Sequence, residues 1–238
     1  MSAAEKSYTD VLTDTHRVCL EWIAAGARVL ECGCGGGVLT RALRDKGCKV
    51  TGVELSAGAA SRAAPYCEEI VVGNIDEEAT WKRAQKPFDA VVLADVLEHL
   101  QYPDVALRRA REMLDPKGTL VVAVPNVAHF SVRWSLLRGR FDYTEFGILD
   151  DTHLRFFTKK TLRECVERSG FGVEEIRANV IPFRGDGLFE RLGLGRLKRA
   201  VNRVLTASFP EATAYKWCVR CVPVGPSGGE ATEGVVEP

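Results

Sequence analysis

The stretch V-L-E-C-G-C-G-G-G, residues 29–37, runs a short apolar segment straight into a cluster of glycines. A buried strand followed at once by glycines reads as a sharp strand-to-helix turn. Glycine reaches positive φ without steric cost and lets a ligand approach the backbone closely. The helix expected next, over about 37–47, aims its free N–H groups and positive dipole end at that ligand. The following apolar run, V-T-G-V-E, ends on Glu54, 23 residues beyond Glu31. That spacing suits a carboxylate at the end of the neighbouring strand, in reach of both hydroxyls of a ribose.

The register of the glycines decides between nucleotides. The dinucleotide fingerprint is G-x-G-x-x-G/A. Started at Gly33 it puts Val38 where the third small residue belongs, and started at Gly35 it puts Thr40 there. A nicotinamide oxidoreductase is therefore disfavoured. The pattern present is acid-x-Gly-x-Gly-x-Gly, formed by Glu31, Gly33, Gly35 and Gly37, with Cys34 inside the loop. It resembles motif I of the class I S-adenosylmethionine-dependent methyltransferases. The resemblance implies a loop packed against sulfonium and ribose, Glu31 beside the methionine amino group, and Glu54 with Leu55 at the ribose. Nicotinamide dinucleotides are not expected to bind.

Outward from this loop, strands and helices alternate. A leading helix is expected over Thr9–Ala25, then a strand over 27–31, the helix over 37–47, a strand over 49–53 and a helix capped by Ser56. A strand over 69–72, a helix over 77–85 and a strand over 88–94 follow. Pro103 starts a helix running to about Leu114, Asp115–Gly118 is a turn, and a strand over 119–124 ends at Pro125. Such alternation implies a parallel sheet covered on both faces, with ligands beyond the strands' carboxyl ends. Glu31, Glu54, Asn74, Asp95 and Asn126 all lie just past such ends.

The second half departs from simple alternation. Pro125–Thr158 holds a helix near Ser131–Leu137 and a Gly/Asp/Tyr-rich loop around 139–151. A helix over 159–169 and a strand over 172–180 resume the pattern. Residues 183–209 carry a basic face (Arg196, Lys198, Arg199, Arg203) and an apolar stripe (Leu194, Leu197, Val201, Leu205), read as a helix. A strand over 214–222 closes the fold. The expected organisation is one domain over 1–222, with insertions at about 126–158 and 183–209, and a disordered tail over 223–238.

The resemblance extends over these elements. F-D-A-V-V-L-A-D-V-L-E-H-L, Phe88–Leu100, looks like the fourth strand and following loop of class I methyltransferases, and Asp115–Asn126 looks like the fifth. Pro125–Thr158 is similar to the ubiquinone-biosynthesis O-methyltransferase-like and methionine-biosynthesis methyltransferase-like branch. The fold so implied is α/β: a Rossmann-like, seven-stranded, doubly wound sheet whose helical and loop insertions form a lid. Further cofactor contacts are implied at Ala94, Asp95, Val96 and His99. At the third strand relatives carry Gly-Asp, whereas here Gly73-Asn74 is followed by Ile75-Asp76. The Asn74 oxygen can accept from an adenine N–H, or Asp76 takes that role.

Composition fits such a chain. At 238 residues it can bury a full core as one domain. Lys+Arg and Asp+Glu both number 32, so no net field points to nucleic acid. No apolar run of membrane-spanning length occurs, and Met1–Thr15 lacks the apolar core of a secretory signal, so a cytoplasmic protein is expected. The eight cysteines are scattered through apolar runs and read as small buried hydrophobes. Cys218 and Cys221 lie three apart on a strand and face opposite sides, with no second pair to complete a zinc set.

Catalytic groups are sparser. Methyl transfer from a sulfonium rests heavily on positioning, and an oxygen acceptor must also lose a proton, for which histidine is suited. His129 and His153, both in the branch-specific insertion, are the candidate bases, with Asp151 as the acidic alternative. Asp150 and Asp151 without a third ligand do not make a metal site, and no metal residue is assigned. Tyr143, Arg155, Phe156 and Phe157 are expected to mix core packing with acceptor-pocket lining. The reading is an S-adenosylmethionine-dependent O-methyltransferase acting on a small-molecule hydroxyl. Its alternatives are an N- or C-methyltransferase and a non-catalytic cofactor-binding protein that assists a partner enzyme. A homodimer is left open.

Overall fold

The structure is a computed structural model, which describes residues 11–84, 87–180 and 208–225. The expected basic helix at 183–209 falls almost wholly outside these residues. Seven strands form one sheet in the order β3-β2-β1-β4-β5-β7-β6. They are β1 (Arg28–Cys32), β2 (Lys49–Glu54), β3 (Glu69–Val72), β4 (Phe88–Ala94), β5 (Leu114–Pro125), β6 (Phe171–Asn179) and β7 (Lys216–Pro223). The helices are α1 (Asp14–Trp22), α2 (Val38–Asp45), α3 (Ala57–Ala63), α4 (Glu78–Arg83), α5 (Pro103–Met113), α6 (Phe130–Leu137) and α7 (Lys159–Arg168), with a short helical turn at Pro210–Thr213.

Four helix starts have a clear local cause. The Thr13 hydroxyl accepts from the His16 N–H while the His16 ring accepts from the Thr13 N–H, a reciprocal cap. The leading helix therefore begins at Asp14 and not at Thr9. Ser56 caps α3 through the Ala59 N–H. Thr158 and Thr161 form the same reciprocal cap at α7. Pro103 opens α5, where its missing N–H costs nothing.

The sheet is not wholly parallel. β7 pairs antiparallel with both β5 and β6, because the crossover through α7 sets β6 one strand-width beyond β5 and the last strand fills the gap. Pro223, expected at the head of a disordered tail, pairs with Phe171 inside this sheet, and Val224 N–H donates to Gly170. The expected turn at Asp115–Gly118 lies within β5 as an irregularity. Phe88 pairs with Leu114 and Ala90 with Thr119, and the Asp115 carboxylate accepts from the Lys117 N–H. The extra residues loop out without ending the strand.

Two cores sandwich the sheet. One includes Cys19 from α1, Ile23 just after it, and Leu39 and Leu43 from α2 against Val29, Val50 and Val121. The other packs Leu97, Leu107, Leu162 and Phe171 against Leu30, Val91, Leu93 and Leu120. Cys218 belongs to the first and Cys221 to the second, as the period of a strand requires. All eight cysteines are free thiols. Among the described residues no helix is long and apolar enough to cross a membrane.

These cores carry the stability, and the surface ion pairs add little. Leu107 is fully buried, so Leu107→Ala should cost about 2–5 kcal/mol. The exposed Arg163–Glu167 pair should contribute under about 1 kcal/mol. Urea unfolding of Leu107→Ala and Glu167→Gln beside the parent checks both. Equal losses would contradict this division.

Candidate active site

The parallel strands deliver their carboxyl ends to one rim, and the glycine loop sits at its centre. Gly33, Gly35 and Gly37 have φ of 69°, 54° and 83°. A Cβ at Gly33 would lie 2.7 Å from Val96 Cγ2, and one at Gly37 2.8 Å from the Ala63 backbone. Both glycines are thus required by conformation and by space. The Gly33 and Cys34 N–H groups donate to the Val53 carbonyl at 2.7 and 3.2 Å, which pins the loop to the end of β2.

The two acids of the rim are held differently. Glu54 is buried, and its carboxylate accepts from the Gly35 and Ser56 N–H groups, both at 2.9 Å. Glu31 is 4% exposed and accepts only from the Thr40 hydroxyl at 2.7 Å. Burial pushes its carboxyl up to about 8, partly offset by that hydrogen bond. Leu55, next along the rim, is 66% exposed.

The Asn74 corner is built from turns. The Asn74 side-chain oxygen accepts from the Asp76 N–H at 3.0 Å, so one of its acceptor positions is already in use. The Trp81 indole N–H donates to the Ile75 carbonyl at 2.8 Å and Arg109 to the Asp76 carbonyl at 2.9 Å. The corner is held by α4 and α5.

After β4, Ala94 leads to Asp95, the one non-glycine with positive φ among the described residues, at 57°. Such strain persists where surroundings impose it and points to function. Asp95 Oδ2 accepts from Lys216 Nζ at 2.5 Å, while its Oδ1 is buried without a partner. Sequence reasoning missed Lys216. It opens β7, and because β7 runs backwards its amino end joins the carboxyl rim of the parallel strands. Val96 packs on Gly33, and a 3-10 turn over Leu97–His99 follows.

The insertion lies over this turn. The Leu154 and Arg155 N–H groups donate to the Glu98 carbonyl at 2.8 and 2.9 Å, and Arg155 also donates to the Gln101 carbonyl at 2.7 Å. His153 is thereby set beside His99, with ring centroids 4.8 Å apart. An aromatic row continues outward from His153 to Phe156, Phe141 and Tyr143. Phe157 instead enters the core.

The candidate bases differ in hydrogen bonding. His129 caps α6: its Nδ1 accepts from the Ser131 N–H at 3.3 Å, so the proton of the neutral ring sits on Nε2. His153 Nδ1 donates to the Ile148 carbonyl at 3.0 Å, which leaves Nε2 with a free lone pair. Burial lowers both histidines below the usual range. The Asp151 N–H donates to the Thr144 carbonyl, and Asp151 itself is exposed in the turn. Its neighbour Asp150 is buried and accepts from the Thr152 N–H and hydroxyl at 2.9 and 2.6 Å.

A doubly wound sheet with this loop register defines a class of nucleotide-cofactor enzymes, and the comparisons give the family. The chain belongs to the class I S-adenosylmethionine-dependent methyltransferases: a family model described as a methyltransferase domain matches residues 5–176. It is similar to the ubiquinone biosynthesis O-methyltransferase of Azorhizobium caulinodans, 30% identical over 170 residues, covering 68% of this chain and 65% of that one. The Nitrosococcus oceani protein of the same name is 32% identical over 124 residues, covering 48% of this chain and 52% of its own. The chain thus spans between about half and 65% of these relatives' lengths. Among solved structures, the CcbJ methyltransferase of Streptomyces caelestis superposes with TM-score 0.61 at 18% identity, over 93% of this chain and 95% of that one. The Haloferax volcanii putative methyltransferase, solved with the Trm112 activator, gives 0.61 at 17% identity over 88% and 90%. The magnesium protoporphyrin IX methyltransferase of Synechocystis PCC 6803, with bound S-adenosylhomocysteine, gives 0.58 at 14% over 88% and 80%. These three share the fold, and S-adenosylmethionine is the cofactor of the family.

Two predictions follow from the loop and its acid. Gly33→Ala should cost at least about 1–2 kcal/mol from the left-handed conformation alone, with more from Val96, and should weaken S-adenosylhomocysteine binding; chemical unfolding and calorimetry check it. For Glu31, burial raises the folded carboxyl to about 8, against about 4.3 for the unfolded one. Between these values the folded chain holds a proton that the unfolded chain has released, so stability falls as pH rises through the window. Glu31→Gln removes this titration. The melting temperature of Glu31→Gln minus that of the parent should grow from pH 5 to pH 8 and then level off.

Proposed function

We propose that the protein transfers the methyl group of S-adenosylmethionine to the hydroxyl of a small molecule, a phenol, sugar or natural product. The observation that carries this reading is the insertion over the Leu97–His99 turn. It sets His153, with an unspent Nε2 lone pair, at the inner end of an aromatic row that opens outward. A planar acceptor stacked in that row would present its oxygen toward His153. The shared name of the relatives, ubiquinone biosynthesis O-methyltransferase, supports oxygen as the acceptor atom.

On this reading Gly33, Cys34, Gly35 and Gly37 face the methionine and ribose, Glu31 receives the cofactor's ammonium, and Glu54 with Leu55 holds the ribose and flanks the base. Asn74, Ile75 and Asp76 border the adenine, while Ala94, Asp95, Val96 and His99 line the sulfonium side. Among the candidate bases, His153 accepts the acceptor's proton. The other two are less suited: His129 spends Nδ1 on its helix cap, and Asp151 lies in an exposed turn.

The test has a cofactor arm and an acceptor arm. Glu54→Ala should weaken S-adenosylhomocysteine binding about ten- to a hundredfold, as expected for lost bonds to a charged group. Incubation of the protein with S-adenosylmethionine and a panel of phenols, catechols and sugars should release S-adenosylhomocysteine with at least one phenol. His153→Ala should slow that turnover and leave cofactor affinity unchanged. Methylation of amines only, or turnover indifferent to His153, would replace this reading.

A further inference from the structure

The insertion keeps its large apolar side chains outside. The α6 sequence F-S-V-R-W-S-L-L is apolar on every side, yet the helix buries only Val132. A helix of that kind is normally covered all round. Leu137 is instead 79% exposed, and Trp134, Leu136, Phe141, Tyr143 and Leu154 lie between 39% and 55%. Together these six expose on the order of 600 Å², at the upper end of what a lone soluble chain shows to water. Several of them are ordered in advance. The Arg138 guanidinium stacks 4.5 Å over the Trp134 ring, and Phe141 meets Tyr143 edge to face at 5.7 Å. Rigid Trp, Tyr and Arg anchors are what binding surfaces use.

The charges around these side chains fall into two halves. Residues 130–140 carry Arg133, Arg138 and Arg140 and no acid, and residues 141–151 carry Asp142, Glu145, Asp150 and Asp151 and no base. Asp150 is buried, and the other six are exposed. A face made for a membrane or for nucleic acid carries an excess of base, because headgroups and phosphates repel carboxylates. Here three exposed bases are matched by three exposed acids. Such a face complements itself: a two-fold axis across it sets the basic half of one copy over the acidic half of the other. The area agrees, since a stable interface needs about 800 Å² from each partner, rather more than half of it apolar.

We propose that the insertion docks on the same insertion of a second copy of this chain, in a two-fold dimer built on α6 and the loop after it. Trp134, Leu136 and Leu137 supply its apolar centre, and the arginines and carboxylates fix its register. Phe141 and Tyr143 stand at the outer end of the aromatic row, so the second copy closes that end. This last consequence rests on the function proposed above, whereas the dimer does not.

Sedimentation velocity of the full chain, from sub-micromolar to high micromolar concentration, should show a monomer giving way to a species of twice its mass. Leu137→Glu puts an unpaired charge at the apolar centre and should raise the dimer Kd at least about tenfold. Leu137 touches neither core cluster, so the melting temperature and S-adenosylhomocysteine affinity should stay unchanged. A chain with Arg138→Glu and Arg140→Glu, and another with Asp142→Arg and Glu145→Arg, should each be monomeric alone and should dimerise when mixed. Amide hydrogen exchange of the parent needs no substitution, and protection over residues 130–146 should rise with protein concentration. A chain that stays monomeric throughout overturns the dimer, as does a dimer indifferent to Leu137→Glu and to both charge reversals. A monomer that sediments with phosphatidylglycerol vesicles, and loses them on Leu137→Glu, gives this face to a membrane and overturns it equally. Phenol turnover separates the two readings. Turnover by a chain that never dimerises sinks the dimer alone, and a dimer that methylates no hydroxyl sinks the acceptor reading alone.

Discussion

The Glu54 carboxylate ties three pieces of backbone together. It stands at the end of β2, accepts from Gly35 in the glycine loop and from Ser56 at the start of α3. These two hydrogen bonds offset much of the cost of burying a polar group. The rest of the rim depends on this knot. With Gly35 held, Gly33 closes on Val96, and with Ser56 held, α3 comes close enough to Gly37 to forbid a side chain there. The carboxylate read from the sequence as a ribose holder is thus also a structural clamp. Glu31, one strand away, is the contrast: with one hydroxyl as its partner, burial raises it to about 8.

Much of this was legible in the sequence because it is encoded locally. Glycine spacing after an apolar run, a serine before a helix and a proline at a helix start each act over a few residues. They place β1 to β5 and α2 to α5 within a residue or two of the observed bounds, apart from the Asp115–Gly118 excursion inside β5. The apolar stripe of the first helix begins before Thr13, whereas the cap decides where the helix begins. Periodicity reports which face is buried and not where the hydrogen bonds start.

What was not legible depends on direction and distance in space. The alternating pattern carries no sign that β7 runs opposite to the other strands, so Lys216 read as one more strand residue and not as the partner of Asp95. Glu98 looked like an ordinary charge beside His99 until the insertion covered it. His129 and His153 looked alike in the chain. Only their carbonyl and N–H partners, His153 with Ile148 and His129 with Ser131, separate an imidazole with a free Nε2 from one that caps a helix.

The position of β7 also sets the order in which the sheet can be completed during synthesis. It is the last of the seven strands to leave the ribosome, yet its place is between β5 and β6. Until residues 216–223 emerge, β5 presents an open edge of Leu120, Val121, Val122 and Val124, and β6 has no neighbour in the sheet. A nascent chain in that state carries two unpaired edges, the feature most prone to mispairing with another chain. Ribosome stalling or truncation before Lys216 therefore leaves a β5 edge exposed to aggregation, although all of the cofactor loop and most of the core have already been made.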